Sequence, residues 1–327
     1  MSEPIRVMVM AVGSPLGQSI MKALLASGLP VSLFLTDISS LAAGFYLEKK
    51  AVSLILPPVK SPEYASALKE QLEAHAIQVV FPVIAQEHAF FGQHPELSAS
   101  LSLHIVSSPP ETFELCSDKY RSMLHLRSRG LAVPDTSLAE EDGMVNDFLS
   151  KNPFPVLVKP RFGASSMDVF LVRDARQLGA LRQAFARDYL ILQEYLPGAE
   201  EYTVGVYISR DRAVKRTFTI RRELKFGLSY KGEIIDDPLI GGYALRVCSA
   251  LGTTYSANVQ VRLKDRRPFV FEINPRLSST TSVRAHFGFN EPEMILRELY
   301  PHLGAYSRES RKGKFMRYWE EIYLEGE

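Results

Sequence analysis

Gln260, Glu272, Asn274 and Arg276 are the residues whose types and spacing point most directly to chemistry. They lie in the stretch from Asn258 to Arg276, NVQVRLKDRRPFVFEINPR, which reads as a β-hairpin. Val259, Val261 and Leu263 alternate on the first strand, Lys264 to Pro268 turn the chain, and Phe269, Phe271 and Ile273 alternate on the return. In that phase Gln260 and Glu272 become neighbours on adjacent strands, and Asn274 continues the side of Glu272 by the period of two. A carboxylate and an amide oxygen two residues apart suit Mg2+, which takes hard oxygen ligands and leaves its other positions to phosphate oxygens and water. Arg276, just past Pro275, would face the same phosphates. An isolated E-x-N is an ordinary solvated strand face. Here the polar set lies between strongly apolar positions and ends in Asn-Pro-Arg, which favours a site.

The chain that must position these groups has 327 residues, 46% of them hydrophobic, enough for two or three domains with sizeable cores. Its net charge is +1 with no long run of either sign, so nucleic acid and acidic membranes have no electrostatic support as partners. MSEPIRVMVMAV followed by Gly-Ser-Pro reads as a buried strand rather than a signal peptide, and no apolar run reaches transmembrane length. Cys116 and Cys248 form no C-x-x-C pair, so neither a disulfide nor a zinc framework is expected, and a reducing cytoplasm fits.

Short apolar runs at Ile5–Val12, Val31–Asp37, Val52–Pro57, Val79–Ile84 and Leu103–Ser108 alternate with helical patterns, which implies a parallel sheet covered on both faces over residues 1–112. Ser61 as N-cap, Pro62, and Tyr64, Leu68 and Leu72 at four-residue spacing mark one of its helices. The turn Gly13-Ser-Pro-Leu-Gly17 with Asp37 invites a dinucleotide reading, but Pro15 stands where a second glycine belongs. A helix N-terminus at Gly13 could instead receive a substrate carboxylate, or the glycines could serve only a tight turn. Glu87, after the fourth strand, is a substrate-side candidate or simply the acid of a helix start.

Further along, Ser117-Asp118-Lys119 opens a helix that ends at Gly130, a C′ glycine. Pro155-Val-Leu-Val-Lys159 is an apolar strand ending in a lysine, followed by a loop of small residues, Gly163-Ala164-Ser165-Ser166, and a second strand. Such a loop exposes backbone N–H groups and can fold over phosphates. Lys159 would be a compact charge for the α- and β-phosphates, the alternative being a plain hairpin with a stray lysine. Tyr189 to Gly198 is an apolar strand running into Gln193-Glu194-Tyr195-Leu196-Pro-Gly, and Glu201 opens the next strand.

Phe271-Glu-Ile-Asn-Pro-Arg276 resembles the metal-binding strand of ATP-grasp enzymes, most closely the carbamoyl-phosphate synthetase large subunit and its small single-chain relatives. The other motifs agree with it in order and spacing from Ser117 to Arg276. The resemblance implies Lys119 on ATP phosphate, Ser165 in the glycine-rich loop, and an adenine hinge over Gln193, Glu194, Tyr195 and Leu196. It also implies a ribose carboxylate at Glu201, with Glu200 as the other choice. Arg221 to Lys225 is similar to a basic run in biotin carboxylase, which would make Lys225 a phosphate contact and Arg221 its neighbour; exposed basic charge is the alternative.

The fold expected is therefore α/β: a Rossmann-like pre-ATP-grasp domain (1–112), a central lobe (113–190), a C-terminal lobe (191–305) and a tail (306–327) ending in a short docked helix. The function expected is ATP-dependent ligation of a carboxylate to an amine through an acyl-phosphate. Lys159 and Arg276 would be catalytic, and Gln260, Glu272 and Asn274 would hold one or two Mg2+, with Mn2+ as the alternative ion. Arg284, in the hydroxyl-rich segment Leu277–Gly288, could hold the acceptor carboxylate or belong to a helix cap. The expected partners are small-molecule carboxylate and amine substrates, with a homodimer left open. Two rivals stand beside this: phosphorylation of bicarbonate, as in carbamoyl-phosphate or carboxylating enzymes, and a nicotinamide-dependent oxidoreductase.

Overall fold

The computed structural model describes residues 3–163, 168–185 and 189–324. Five parallel strands begin the chain, β1 (Ile5–Val9), β2 (Val31–Asp37), β3 (Val52–Ile55), β4 (Val79–Phe81) and β5 (His104–Ile105), in the order β3-β2-β1-β4-β5. Parallel neighbours need crossovers, and α1 (Pro15–Leu25), α2 (Ala43–Leu47), α3 (Tyr64–Ala74), α4 (Ala85–Gln93) and α5 (Pro95–Leu101) supply them. Both faces are covered, which is why the strands are apolar nearly throughout. Val7, Val9 and Leu35 pack on Ile20, Met21 and Leu24 of α1, while Met8, Phe34 and Val80 pack on Leu68 and Leu72 of α3. The helix α3 buries Tyr64, Leu68 and Leu72 as their spacing predicts. Its N-cap is Glu63 rather than Ser61, and Pro62 precedes it.

Two helices, α6 (Pro110–Ser117) and α7 (Lys119–Ser128), lead into the second layer. Asp118 caps α7 by accepting from the amides of Tyr120 and Arg121, both at 3.0 Å, and Gly130 follows the helix at φ 73°. Next come β6 (Thr136–Leu138), α8 (Asp142–Lys151), β7 (Val156–Pro160), β8 (Phe170–Val172), α9 (Ala175–Ala184) and β9 (Leu190–Gln193). The four strands form an antiparallel sheet in the order β6-β9-β7-β8.

The last layer contains β10 (Glu200–Ile208), β11 (Lys215–Lys225), β12 (Leu228–Ile235), α10 (Pro238–Leu251), β13 (Tyr255–Lys264) and β14 (Arg267–Asn274). It ends with α11 (Thr281–His286), α12 (Glu291–Leu299) and β15 (Gly313–Met316). Its six antiparallel strands run β14-β13-β10-β11-β12-β15. One face is covered by α10, with Tyr243, Ala244 and Val247 against Val204, Val206, Val259 and Val261. On the other face Tyr207, Phe218 and Ile220 join the N-terminal core, leaving the polar end of that face to line a cleft. Among the described residues the tail has no docked helix. Gly313–Met316 pairs with β12 as an edge strand, and Trp319 stacks on Phe226 at 5.6 Å. A strand of alternating exposure flanked by charge is a common way to close a sheet edge. Among the described residues, no helix is long and apolar enough to cross a membrane.

Candidate active site

The strands β13 and β14 set Gln260 opposite Glu272 and Asn258 opposite Asn274. Asp265 and Arg266, at φ 50° and 56°, make the tight turn that joins them. A bulge after Gln260 then breaks the simple alternation, because Val261 pairs with Val270. Val270 and Ile273 go into the core, and Phe271 lines the cleft instead of sharing their buried face.

That bulge helps to place the lysine of β7. Lys159 Nζ donates to the Phe271 carbonyl at 3.2 Å and to Gln193 Oε1 at 2.9 Å. Gln193 is itself fixed, donating to Thr136 Oγ1 at 3.2 Å. Burial lowers the Lys159 amine to about 8; the Glu272 carboxylate opposes the shift, and Lys119 and Arg262 add to it. Lys119 Nζ donates to the Gly163 carbonyl at 2.6 Å. Its amine too is lowered by burial and pulled back up by Glu272 and Asp118. Arg276 shows the same opposition between burial and Glu272. One carboxylate is thus the shared counter-charge of cations from α7, from β7 and from the end of β14. Asp118 supports Lys119: burial works against its ionisation, but Arg161, at 2.7 Å, and two amides hold its carboxyl below the usual range.

Lys119, Lys159, Gln193, Gln260 and Glu272 line a cleft of about 300 Å3 between the two antiparallel sheets, with apolar cover from Leu157, Val169, Leu196 and Phe271. A smaller recess of about 80 Å3 shares Gln260 and Glu272 and adds Arg222, Asn274, Arg276 and Ser278–Thr280. At the hinge, the Glu194 amide donates to Asp135 at 2.8 Å and its side chain accepts from the Asp135 amide at 3.2 Å. Among the described residues nothing takes the Glu194 carbonyl or the Leu196 N–H, which leaves one acceptor and one donor beside apolar cover. Tyr195 is half-buried outside the cleft lining. Glu201 lines the cleft and accepts from Arg222 at 2.7 Å and Arg262 at 3.1 Å, whereas Glu200 lies on the far face with Arg221 and Tyr202.

The donor set fits Mg2+. Gln260, Glu272 and Asn274 offer one carboxylate and two amide oxygens, and Asn274 Nδ2 donates to Glu272 at 3.0 Å, turning its own oxygen toward Arg276. Among the described residues no group of three or more His, Cys, Asp or Glu gathers. A set so poor in carboxylates suits an ion that takes most of its ligands from phosphate and water.

Residues 116–280, half of the chain, match the family model of the ATP-grasp domain. The chain belongs to the ATP-grasp family. A D-alanine–D-alanine ligase of Bacillus anthracis is 29% identical over 176 residues, covering 49% of this chain and 57% of its own. The carbamoyl phosphate synthase large chain of Thermoplasma acidophilum is 24% identical over 195 residues, 55% of this chain and 19% of that one. This ATP-grasp chain therefore matches little more than half the length of the ligase and far less of the synthase. N5-carboxyaminoimidazole synthetase from Staphylococcus aureus, solved with ADP, superposes with a TM-score of 0.74 at 16% identity, over 97% of this chain and 83% of that one. The biotin carboxylase domain of Hydrogenobacter thermophilus 2-oxoglutarate carboxylase, solved with MgADP and bicarbonate, gives 0.72 at 13% identity, over 95% and 72%. At such identities the likeness concerns the fold.

Several expected residues stand elsewhere in this ATP-grasp structure. Arg221 points to the far face, 47% exposed and paired with Glu200 and Glu233. Arg222 takes the cleft side, donating to Glu201 and, at 2.8 Å, to Gln260. The alternation of β11 separates the two arginines, because Phe218, Ile220 and Arg222 share one face and Thr217, Thr219 and Arg221 the other. Lys225 is exposed at the hairpin tip, 5.0 Å from the Tyr230 ring centre, and does not line the cleft. Arg284 cannot reach a substrate carboxylate: it is fully buried and paired with Glu291 at 2.6 Å. Gly13 offers no amide to a carboxylate or pyrophosphate, since its N–H is held by Asp37 Oδ2 at 2.7 Å. Gly17 answers the tight-turn reading, because a Cβ there would lie 2.4 Å from the Ala11 carbonyl oxygen. Glu87 caps its own helix, accepting from the amides of Val83 and Ile84 at 2.7 and 3.0 Å. Ser165 lies outside the described residues. Arg222 and Arg262 are the cleft residues that the sequence reading missed.

Proposed function

We propose that this protein is an ATP-dependent carboxylate–amine ligase that works through an acyl-phosphate. The observation that carries the reading is the convergence of Lys119, Lys159 and Arg276 on Glu272, with Gln260 and Asn274 beside it. Adenine would lie against Leu196, using the open carbonyl of Glu194 and the N–H of Leu196, and Glu201 would take the ribose hydroxyls. Lys119 and Lys159 would meet phosphate oxygens, and Arg276 the transferring phosphoryl group, so that catalysis is mainly positioning and charge neutralisation. Gln260, Glu272 and Asn274 would hold Mg2+, which supplies charge neutralisation at the phosphates. A substrate carboxylate oxygen bonds to the γ-phosphorus while the bond to the β-phosphate oxygen breaks, releasing ADP. The amine nitrogen then bonds to the acyl carbon, phosphate leaves with its oxygen, and the nitrogen loses a proton.

Arg222 holds oxygens on both Glu201 and Gln260, and the ribose and metal roles need both, so its guanidinium has to yield them to the nucleotide. From there the small recess, with Arg276 and the hydroxyls of Ser278 and Thr280, is the place for the carboxylate. Replacing Arg222 by Ala should lower kcat/KM by about tenfold or more, as loss of a charge-assisted contact does. Arg221→Ala should leave steady-state kinetics unchanged, since an exposed pair contributes little. Equal effects of the two changes would reject the assignment of faces.

The reading itself is tested by release of ADP and phosphate from MgATP with pooled carboxylates and amines, with bicarbonate as a separate arm. Release that needs both pools supports the ligase. Release driven by bicarbonate alone would move the protein to the carboxylating class, and release in no arm would sink the proposal.

A further inference from the structure

A second cavity, of about 510 Å3, lies past the carboxyl ends of β1 to β4 and is lined by the segments that follow them, by Thr36 and Asp37 of β2, by Tyr64 of α3 and by Glu87 of α4. This is where ligands of open parallel sheets sit, beside the point at which the strand order reverses. None of the groups assigned to the nucleotide lines it.

Its buried chemistry is acidic. Glu87 is 5% exposed and spends Oε2 on the amides of Val83 and Ile84, while Oε1 makes no bond among the described residues. Burial pushes its carboxyl up to about 7, with Asp37 adding to the shift and the two amides opposing it. Tyr64 is 2% exposed, and its hydroxyl has no partner among the described residues. Tyr64 and Glu87 line the same cavity, and burial raises the phenol, with the charge of Glu87 raising it further. Asp37 is the third polar wall, and the cation of the lining, Lys60, is exposed. Ser14, Thr36 and Gln86 add polar groups, and Leu56, Pro57, Val59 and Ile84 give apolar walls.

At the start of α1 two amides are taken, Gly13 N–H by Asp37 and Gly17 N–H by Ser14 Oγ at 3.1 Å. A pyrophosphate at that turn would meet the Asp37 carboxylate. Buried carboxyl oxygens beside an unpartnered hydroxyl call for a ligand that donates several hydrogen bonds and carries positive charge.

We propose that this cavity binds a primary ammonium compound with an apolar body, the ammonium donating to Glu87 and Asp37 and a neighbouring acceptor atom receiving the Tyr64 hydroxyl. This cavity lies apart from the recess where the acyl-phosphate would form, so the bound ammonium is a separate recognition group and not the attacking nitrogen. Only the first turn of α1 separates the two places, because Gly13 and Ser14 line this cavity and Leu16 lines the recess beside Arg276.

The test is calorimetric titration of the full chain with phenethylamine and phenylalaninamide, with 2-phenylethanol as the uncharged counterpart and MgADP as an independent ligand. Saturable binding of at least one amine is expected, weakened by about tenfold or more in Glu87→Gln and in Tyr64→Phe. Glutamine still accepts from the Val83 and Ile84 amides, so the helix start is kept, and unchanged MgADP binding verifies the fold of each variant. The proposal falls if neither amine saturates, if 2-phenylethanol binds as tightly, or if Glu87→Gln binds like the parent. A wild-type protein that binds MgADP and no amine rejects the cavity alone. One that binds an amine and no MgADP rejects the ATP reading and leaves the cavity site standing.

Discussion

Glu272→Gln should lower ADP formation by about 10^3-fold while leaving the circular dichroism unchanged. The substitution keeps the shape of the side chain and its place opposite Gln260, so β13 and β14 keep their pairing. What it removes is the charge that Lys119, Lys159 and Arg276 all share. In the proposed reaction that charge is also the one carboxylate of the metal set, so a hard anionic ligand becomes a neutral one. A second readout separates this from a general loss of structure. The Lys159 amine sits at about 8 in the parent, held up by Glu272 against burial, and would fall further without it. Bound polyphosphate raises it again. Proton uptake on MgADP binding near pH 8 should therefore be larger in the variant, measured by titration in buffers of different ionisation enthalpy. Unchanged turnover would remove Glu272 from the metal role.

The parts of this site legible in the sequence are those governed by local rules. A period of two places Gln260 and Glu272 side by side, a lysine closing an apolar strand marks Lys159, and alternating strands and helices give the parallel N-terminal sheet. The misreadings come from what local rules leave open. Alternation sorts β11 into two faces without saying which meets the cleft, and it is Arg222 rather than Arg221 that does. A bulge adds one residue, and nothing in PFVFEIN announces that Val270 rather than Phe271 turns inward. The tail strand is short and charged, and only the open edge of β12 gives it a reason to pair. For Arg284 the deciding neighbour is Glu291, on the following helix, and hydroxyl-rich sequence beside an arginine describes a buried network as well as a substrate wall.

That last residue gives the second large effect. Arg284→Met should destabilise the protein by about 3–5 kcal/mol, since it leaves Glu291 buried without its counter-charge. Both side chains are fully excluded from solvent, 2.6 Å apart, and Arg284 also donates to Ser278, Thr280 and Thr281 at 3.0, 2.7 and 3.1 Å. The guanidinium is packed closely enough that a Cβ on Gly205 would come within 2.5 Å of its Nε. A shift of this size lowers Tm by roughly 4–7 °C in a chain of this length. The double change Arg284→Met with Glu291→Met should recover most of the loss, because removing both charges leaves an apolar pair rather than a stranded ion. MgADP affinity at a temperature where the variant is folded should match the parent, as Arg284 lines neither the cleft nor the recess. A variant that kept its Tm and lost turnover would return Arg284 to the substrate.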